Sequence, residues 1–435
     1  MRARFLPILL AAAFSPAAAL DLDQAYRLAQ EVDAKYQSVV ARTEAEAEGV
    51  AIARAKLLPQ VGAIGSVGKL WVEREVGGRH FPVSPTDSWN WGVNLRQPLY
   101  RPNEWAVYNQ AQALSEGAKL NLQNEAALLF ERLAKAYLAA LNATAQLQFA
   151  QNEVARYQTI LHQAEAAFYR GQGTRIEIEE AKARLDGARA QVLARQSELE
   201  IAERALALLL GRRVSASELQ DLADRYSLSQ DILARPEAAW IDEAKQANLG
   251  LASLRKQVEA ARYKVKQQLA GHKPTLDLVA GYKQSRSESE IVLEQQFKTS
   301  SIALQATLPL FSGLGVSAAV RQAQALLRQA ELELEQNSRQ LERAVLDAYT
   351  KVRFGESQIK ALDQAVRSAE QAVIGTRKGV LAGTRNTVDL LNAEQELASV
   401  KAKRTDAIYQ LLSAMVELLV AVSKPPEEAI AWIIN

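Results

Sequence analysis

Proline placement constrains this chain more than any other feature. The sequence has twelve prolines, yet none falls between Pro102 and Pro236 or between Pro309 and Pro425. An interior proline removes a helix hydrogen bond and clashes with the preceding turn, so long helices require such gaps. Both gaps are rich in Ala, Leu, Gln, Glu, Arg and Lys, all good helix formers. A continuous helix from Asn103 to Phe168 would run roughly 100 Å at about 1.5 Å per residue. A single compact domain has no use for that length, so the sequence predicts an elongated, mainly helical molecule.

The chain also repeats itself. "QAQAL" occurs at 110–114 and at 322–326, and "LRQPLY" at 95–100 matches "ATLPLF" at 306–311. "AKLLPQV" at 55–61 matches "AGHKPTL" at 270–276, and "RGQGTRIEIEEA" at 170–181 matches "AGTRNTVDLLNA" at 382–393, glycine on glycine and acid on acid. The offset stays near 212 residues. Two copies of one unit are therefore expected, each ordered helix, strand, loop, strand, long helix, turn, helix. That period is too long for a short-repeat solenoid.

Outside the proline-free spans the pattern changes. In "DSWNWGVNLRQPLY" at 87–100, Trp89, Trp91, Val93 and Leu95 alternate with Asn90, Gly92, Asn94 and Arg96. That is the period of a strand with one apolar and one polar face. Leu276, Leu278, Ala280 and Tyr282 alternate likewise in the second unit, as do Ile302, Leu304, Ala306 and Leu308. The glycine-rich stretch 61–75 alternates less clearly and is assigned as a strand by symmetry, pairing with 87–98. The connections "REVGGRHFPVSPTD" and "SRSESEIVLEQQFK" are polar enough to face solvent.

The N-terminus gives the compartment. Arg2 and Arg4, an apolar run from Phe5 to Phe14, Pro16 and an A-x-A site at Ala17–Ala19 predict a secretory signal, with Leu20 as the mature start. The run is too short for a membrane-spanning anchor. Without Arg2 and Arg4 the 52 Lys+Arg fall to the number of Asp+Glu, 50, so the mature chain is formally neutral and nucleic acid is not an expected partner. With no cysteine there is neither a disulfide framework nor a lipid anchor.

No later segment approaches 18 consecutive apolar residues, so a membrane role requires a β-barrel, the one other structure that satisfies every backbone group in lipid. Each strand is close to the roughly 9–11 residues that cross a bilayer when tilted. Four strands cannot close a barrel alone, whereas three chains would give twelve, an even number in the outer-membrane range. Trp89 and Trp91 then sit at a membrane interface, which suits aromatic residues. The competing arrangement is a small soluble sheet capping a coiled coil. The alanine-rich helices fit either a soluble bundle or the wall of an aqueous duct, because neither face is strongly apolar throughout.

Taken in order, the signal peptide, "ARAKLLPQV" before a strand, "QPLY" before a long helix and "GTRNTVDLLNAEQEL" in the second repeat resemble the TolC family of outer-membrane efflux proteins. The resemblance covers the whole mature chain. It implies a homotrimer, a twelve-stranded β-barrel in the outer membrane with four strands per chain, and a helical tunnel in the periplasm. It also implies partners, namely a periplasmic adaptor and an inner-membrane transporter of ABC or RND type, and no chemistry or cofactor of its own. "YRGQGT" at 169–174 and "LAGT" at 381–384 correspond to the tunnel's periplasmic tips, which makes Gly171, Gly383 and Thr384 candidate adaptor-docking residues. Gly171 and Gly383 equally suit the left-handed cap that ends a helix. Glu177, Arg385 and Asp389 match gate positions: the arginine counterpart bonds to the first tip, and the aspartate rings the constriction and favours cations. Val380, Ile176 and Asn392 depart from the family pattern, which implies a weaker gate and half the family's ring of carboxylates.

The expected division is a signal peptide at 1–19, a first repeat at 20–211 with strands near 61–75 and 87–98, and an equatorial linker at 212–236. A second repeat follows at 237–424 with strands near 275–285 and 299–310, then a C-terminal tail at 425–435. His80, His162 and His272 are isolated from other ligands at metal spacing, and no phosphate loop or nucleophile elbow is present, so an enzyme is not expected. The rival reading is a soluble periplasmic coiled-coil adaptor or scaffold; a self-contained porin would have little use for the two helical spans.

Overall fold

The computed structural model describes residues 20–71, 73–81, 85–222, 232, 234–289 and 292–434, so the expected signal peptide lies outside the described residues. The two proline-free spans hold the two longest helices, α3 (Pro102–Tyr169, 68 residues) and α7 (Gly315–Leu381, 67 residues). Each is followed by a short turn and a partner helix, α4 (Arg175–Leu210) and α8 (Thr387–Ala421). Ahead of the strands, each repeat opens with a helix broken at one extended residue. In the first, α1 (Leu22–Val32) and α2 (Ala34–Ala55) meet at Asp33; in the second, α5 (Glu237–Ala247) and α6 (Leu249–Leu269) meet at Asn248. Both break residues keep a backbone bond, Asp33 N–H to Ala29 O at 2.8 Å and Asn248 N–H to Ala244 O at 2.9 Å. The duplication thus reaches backbone detail. No described helix is long and apolar enough to cross a membrane.

The chain forms two compact units. The first comprises Met1–Val39, Leu122–Leu249 and Ser338–Asn435. Its core gathers Phe130, Leu133 and Tyr137 of α3, Leu206 and Leu210 of α4, and Trp240 of α5 against the Ile408–Leu419 face of α8. Tyr137 binds the linker: its hydroxyl donates to Leu20 O at 2.7 Å and accepts from Gln220 N–H at 2.8 Å, while Leu20 and Leu219 form a parallel bridge. The last stretch, expected as a tail, is helix α9 (Pro426–Ile434), with Pro426 at the first helical position where its missing N–H costs nothing.

The second unit comprises Val40–Asn121 and Gly250–Asn337 and carries the sheet. Its strands are β1 (Gln60–Trp71), β4 (Pro85–Tyr100), β5 (Thr275–Ser289) and β6 (Val292–Thr307), antiparallel in the order β1-β4-β5-β6. A separate small hairpin, β2 (Arg74–Val76) and β3 (Arg79–Phe81), stands in the first connection and turns at Gly77 and Gly78, both at positive φ. Two expectations change here. The first connection holds strands rather than a plain loop, and β5 and β6 extend well into the second connection, to Ser289 and from Val292. The alternation that marks a strand needs one apolar face; from Lys283 to Ser289 β5 is polar at every position, and the period disappears from the sequence while the pairing continues.

Candidate functional site: a two-faced sheet and two matched tips

Register assigns the faces of the sheet. Val61 pairs with Leu95, Ala63 with Val93 and Val67 with Trp89; across the next seam Leu95 pairs with Ala280 and Val93 with Tyr282; then Ala280 pairs with Ile302 and Leu278 with Leu304. Directly paired residues share a face, so these form one continuous apolar surface. Trp91 belongs to it and packs its ring 5.5 Å from that of Tyr282. Val67, Ile302 and Leu304 on this surface are exposed in the single chain. The opposite face carries Asn90, Asn94, Arg96, Asp277, Lys283 and Thr299, with Asn90 donating to Ser66 Oγ. Within the chain, β1 and β6 are edge strands whose outer sides have no partner among the described residues. An open edge in lipid leaves backbone groups unsatisfied, so this sheet requires further strands from other chains.

The two turns are built alike. After α3, Gly171 takes φ 73°, its N–H donates to Phe168 O at 2.9 Å, and Gln172 N–H donates to Ala167 O at 2.9 Å. After α7, Gly383 takes φ 74°, its N–H donates to Val380 O at 3.0 Å, and Thr384 N–H donates to Gly379 O at 2.9 Å. This paired-bond ending satisfies the last carbonyls of a helix and needs a left-handed residue, which glycine supplies without a Cβ penalty. The next helices start with capping boxes. Thr174 Oγ1 accepts from Glu177 N–H at 3.3 Å while Glu177 Oε2 accepts from Thr174 N–H at 2.9 Å. In the second turn Asn386 Oδ1 accepts from Asp389 N–H at 2.8 Å and Asp389 Oδ2 accepts from Asn386 N–H at 3.2 Å. Glu177 and Asp389 therefore each hold a helix start, a reciprocal arrangement that satisfies two orphan donors. Thr384 caps through its hydroxyl, donating to Gly379 O at 3.1 Å. Arg385 is exposed, and within one chain no hydrogen bond or ion pair joins it to Glu177 among the described residues.

Behind the turns the two hairpins are tied together by contacts the sequence pattern did not flag. Tyr157 and Ile160 of α3, Ala181, Leu185 and Ala188 of α4, and Leu391 of α8 form one small apolar cluster. Beside it Arg184 donates to Asn392 Oδ1 at 2.9 Å and to Gln395 Oε1 at 2.8 Å. Glu394, nearly buried, pairs with Arg377 of α7 at 2.7 Å and lies 3.9 Å from Arg156 of α3. Burial, helped by the neighbouring Glu153, pushes the Tyr157 phenol above its usual range while Arg184 and Arg156 pull it down. Tyr169 and Leu381, one per tip and 212 residues apart, are 87 % and 84 % exposed. An i,i+4 periodicity search passes over such pairs, because nothing in one repeat marks them until the two are superposed.

The profile of the outer membrane efflux protein family matches residues 13–212 and 240–423. The chain belongs to this family. Among its relatives, the alkaline protease secretion protein AprF of Pseudomonas aeruginosa is 32 % identical over 92 % of this chain and 84 % of its own length. The proteases secretion protein PrtF of Dickeya chrysanthemi is 31 % identical over 96 % of this chain and 91 % of its own. Among solved structures, the outer membrane protein VceC of Vibrio cholerae superposes with a TM-score of 0.80 at 18 % identity, covering 92 % of this chain and 96 % of that one. The fold is thus that of the trimeric outer-membrane channels, a helical barrel joined to a twelve-stranded β-barrel to which each chain gives four strands. As an outer membrane efflux protein the chain resides in the outer membrane with its helical tunnel in the periplasm, and it serves transport. This replaces the rival reading of a soluble adaptor or scaffold.

Proposed function

We propose that three copies form a conduit that receives polypeptides from an inner-membrane ABC transporter through a periplasmic adaptor and releases them outside the cell, with no catalysis of its own. The observation that carries this reading is the four-stranded sheet with one apolar and one polar face and two unpaired edges, on a chain whose long helices end in two matched turns. Export of polypeptides in particular is supported by the two relatives above 30 % identity, both of which are protease secretion proteins. The tips around Gly171, Gly383 and Thr384 dock the adaptor, and the exposed Tyr169 and Leu381 supply its apolar contacts. Because the cap bonds satisfy the tip backbone internally, an adaptor engages side chains rather than main chain.

The entrance is gated by side chains near the same tips. Arg385, whose side chain has no hydrogen bond or ion pair among the described residues of its own chain, pairs across to a neighbouring chain's first tip near Glu177, and Asp389 lines a cation-favouring ring. An exposed Arg–carboxylate pair contributes only about 0–1 kcal/mol, so three such pairs bias a two-state entrance without locking it. The test is reconstitution. Detergent-purified protein should be trimeric, form pores in planar bilayers and restore secretion of a protein cargo in a strain lacking its own channel, given the cognate adaptor and transporter. A stable monomer without conductance refutes the channel; restored drug efflux without protein secretion refutes the cargo class.

A further inference from the structure

The polar face of the sheet carries an asymmetric charge. On this face of the described strands Asp277 is the only acid, against Arg96 of β4 and Lys283 of β5. Arg101, just past β4, joins them through the same carboxylate. Arg96 donates from Nε and Nη2 to Asp277 Oδ2 at 3.0 and 2.6 Å, and Arg101 donates from Nε to Oδ1 at 2.9 Å and from Nη2 to Oδ2. One buried carboxylate thus holds two guanidiniums, and the triad keeps a surplus positive charge. The Asp277 side chain is 5 % exposed and that of Arg96 49 %, so the anchored acid is covered while the cation meets solvent. Four residues from the row in which Arg96 pairs with Val279, Lys283 is exposed beside Gly92, whose missing Cβ would sit 3.5 Å from the Cβ of Lys283. At about 3.3 Å per residue the two cationic levels stand roughly 13 Å apart, beyond one Debye length at about 0.1 M salt.

We propose that Arg96, Arg101 and Lys283 make the bore of the β-barrel a cationic wall that attracts carboxylates in transit, a bias opposite in sign to that of the entrance. The inference rests on the trimeric-channel reading, which turns this face inward and multiplies each charge threefold. Asp277 acts as a positioning residue, since it fixes both guanidiniums in the wall rather than leaving them to swing into the bore. A bore lined with one sign of charge in low-dielectric walls concentrates the opposite ion by roughly tenfold or more. Small anions and carboxylate-rich chain segments are the species it favours.

The experiment uses the full-length trimer in planar bilayers, with a KCl gradient for selectivity and a short poly-glutamate peptide added on the barrel side for block. Lys283→Glu should move the reversal potential toward cations and slow the onset of peptide block roughly tenfold, both effects fading at high salt. Arg96→Gln, which takes the surplus charge from the triad while Asp277 stays paired with Arg101, should shift both readouts in the same direction. Lys298→Glu, paired with Gln284 on the opposite face, should leave both unchanged. Conducting channels in which Lys283→Glu alters neither selectivity nor block overturn the inference alone. A wild type that forms no pore overturns the channel reading together with it.

Discussion

Adjacent residues on one strand should respond in opposite ways to the same substitution. Ile302 lies on the apolar face of β6, pairs with Ala280, and is 75 % exposed in the single chain; Ser301 pairs with Gly281 on the polar face. Ile302 is two residues from the row that holds Tyr282, or about 7 Å along the strand at about 3.3 Å per residue. That places it inside the apolar band and below the aromatic level marked by Trp91 and Tyr282. Arginine on the lipid face near mid-membrane costs about 2–4 kcal/mol, so three chains lose roughly 6–12 kcal/mol. A loss of that size is comparable with the whole reserve of an ordinary domain, about 5–15 kcal/mol. Ile302→Arg should therefore deplete the heat-resistant trimer from outer-membrane fractions, whereas Ser301→Arg, with its side chain in water, should assemble normally. Trimer yield on unheated gels after membrane fractionation measures both. Equal yields, or a deficit only for Ser301→Arg, would refute the facing derived from the register.

The remaining predictions concern the helical unit. Gly171→Leu and Gly383→Leu should abolish export while leaving trimers in the membrane, since each puts a side chain on a backbone held at positive φ; continued export with both changed would remove the tips from the docking surface. Arg385→Ser should raise single-channel conductance, and Asp389→Asn should weaken cation selectivity while its amide oxygen still caps the helix; a selectivity unchanged in the second variant would deny Asp389 its place in the ring. Glu394→Ala, which strands Arg377 and Arg156 behind the tips, should cost about 1–3 kcal/mol and show as faster hydrogen exchange in the α7–α8 turn. Glu417 is pushed up by burial but held below its ordinary value by Lys135 and Lys351, at 2.8 and 2.9 Å. Its stabilisation is thus present above the unfolded value of about 4.3 and lost as pH falls through the lower folded value. Acid melting of wild type and Glu417→Gln should converge only below that range.

The architecture was legible where the physics is local and periodic. Two proline gaps mark α3 and α7, and alternation marks the apolar parts of β4, β5 and β6, because each pattern reflects one element meeting one environment. The extensions of β5 to Ser289 and of β6 back to Val292 were not legible, since neither the all-polar run 283–289 nor the run 292–299 alternates apolar with polar residues. The matched glycines Gly171 and Gly383 pointed to the turns that end α3 and α7, and the acids three residues beyond the caps, Glu177 and Asp389, came with them through the repeat. What the sequence did not expose were contacts between distant segments: Arg184 with Asn392, Glu394 with Arg156, and Asp277 with Arg96, the last 181 residues apart. Pairings of that kind depend on topology, which a one-dimensional pattern does not carry.

The seam between β4 and β5 has a consequence for how the barrel closes. It joins the last strand of one repeat to the first strand of the other, antiparallel, with both faces in register from Ser88–Ser287 to Pro98–Asp277 and a register shift before Tyr100–Leu276. Closing the ring requires the same kind of join between β6 of one chain and β1 of the next, again a last strand meeting a first. The barrel is therefore six copies of a two-stranded module, every second seam lying within a chain and every other seam between chains. Seen this way the covalent link between repeats is an alternative to assembly: it fixes half of the junctions in advance and leaves three, rather than six, to be found by collision in the membrane.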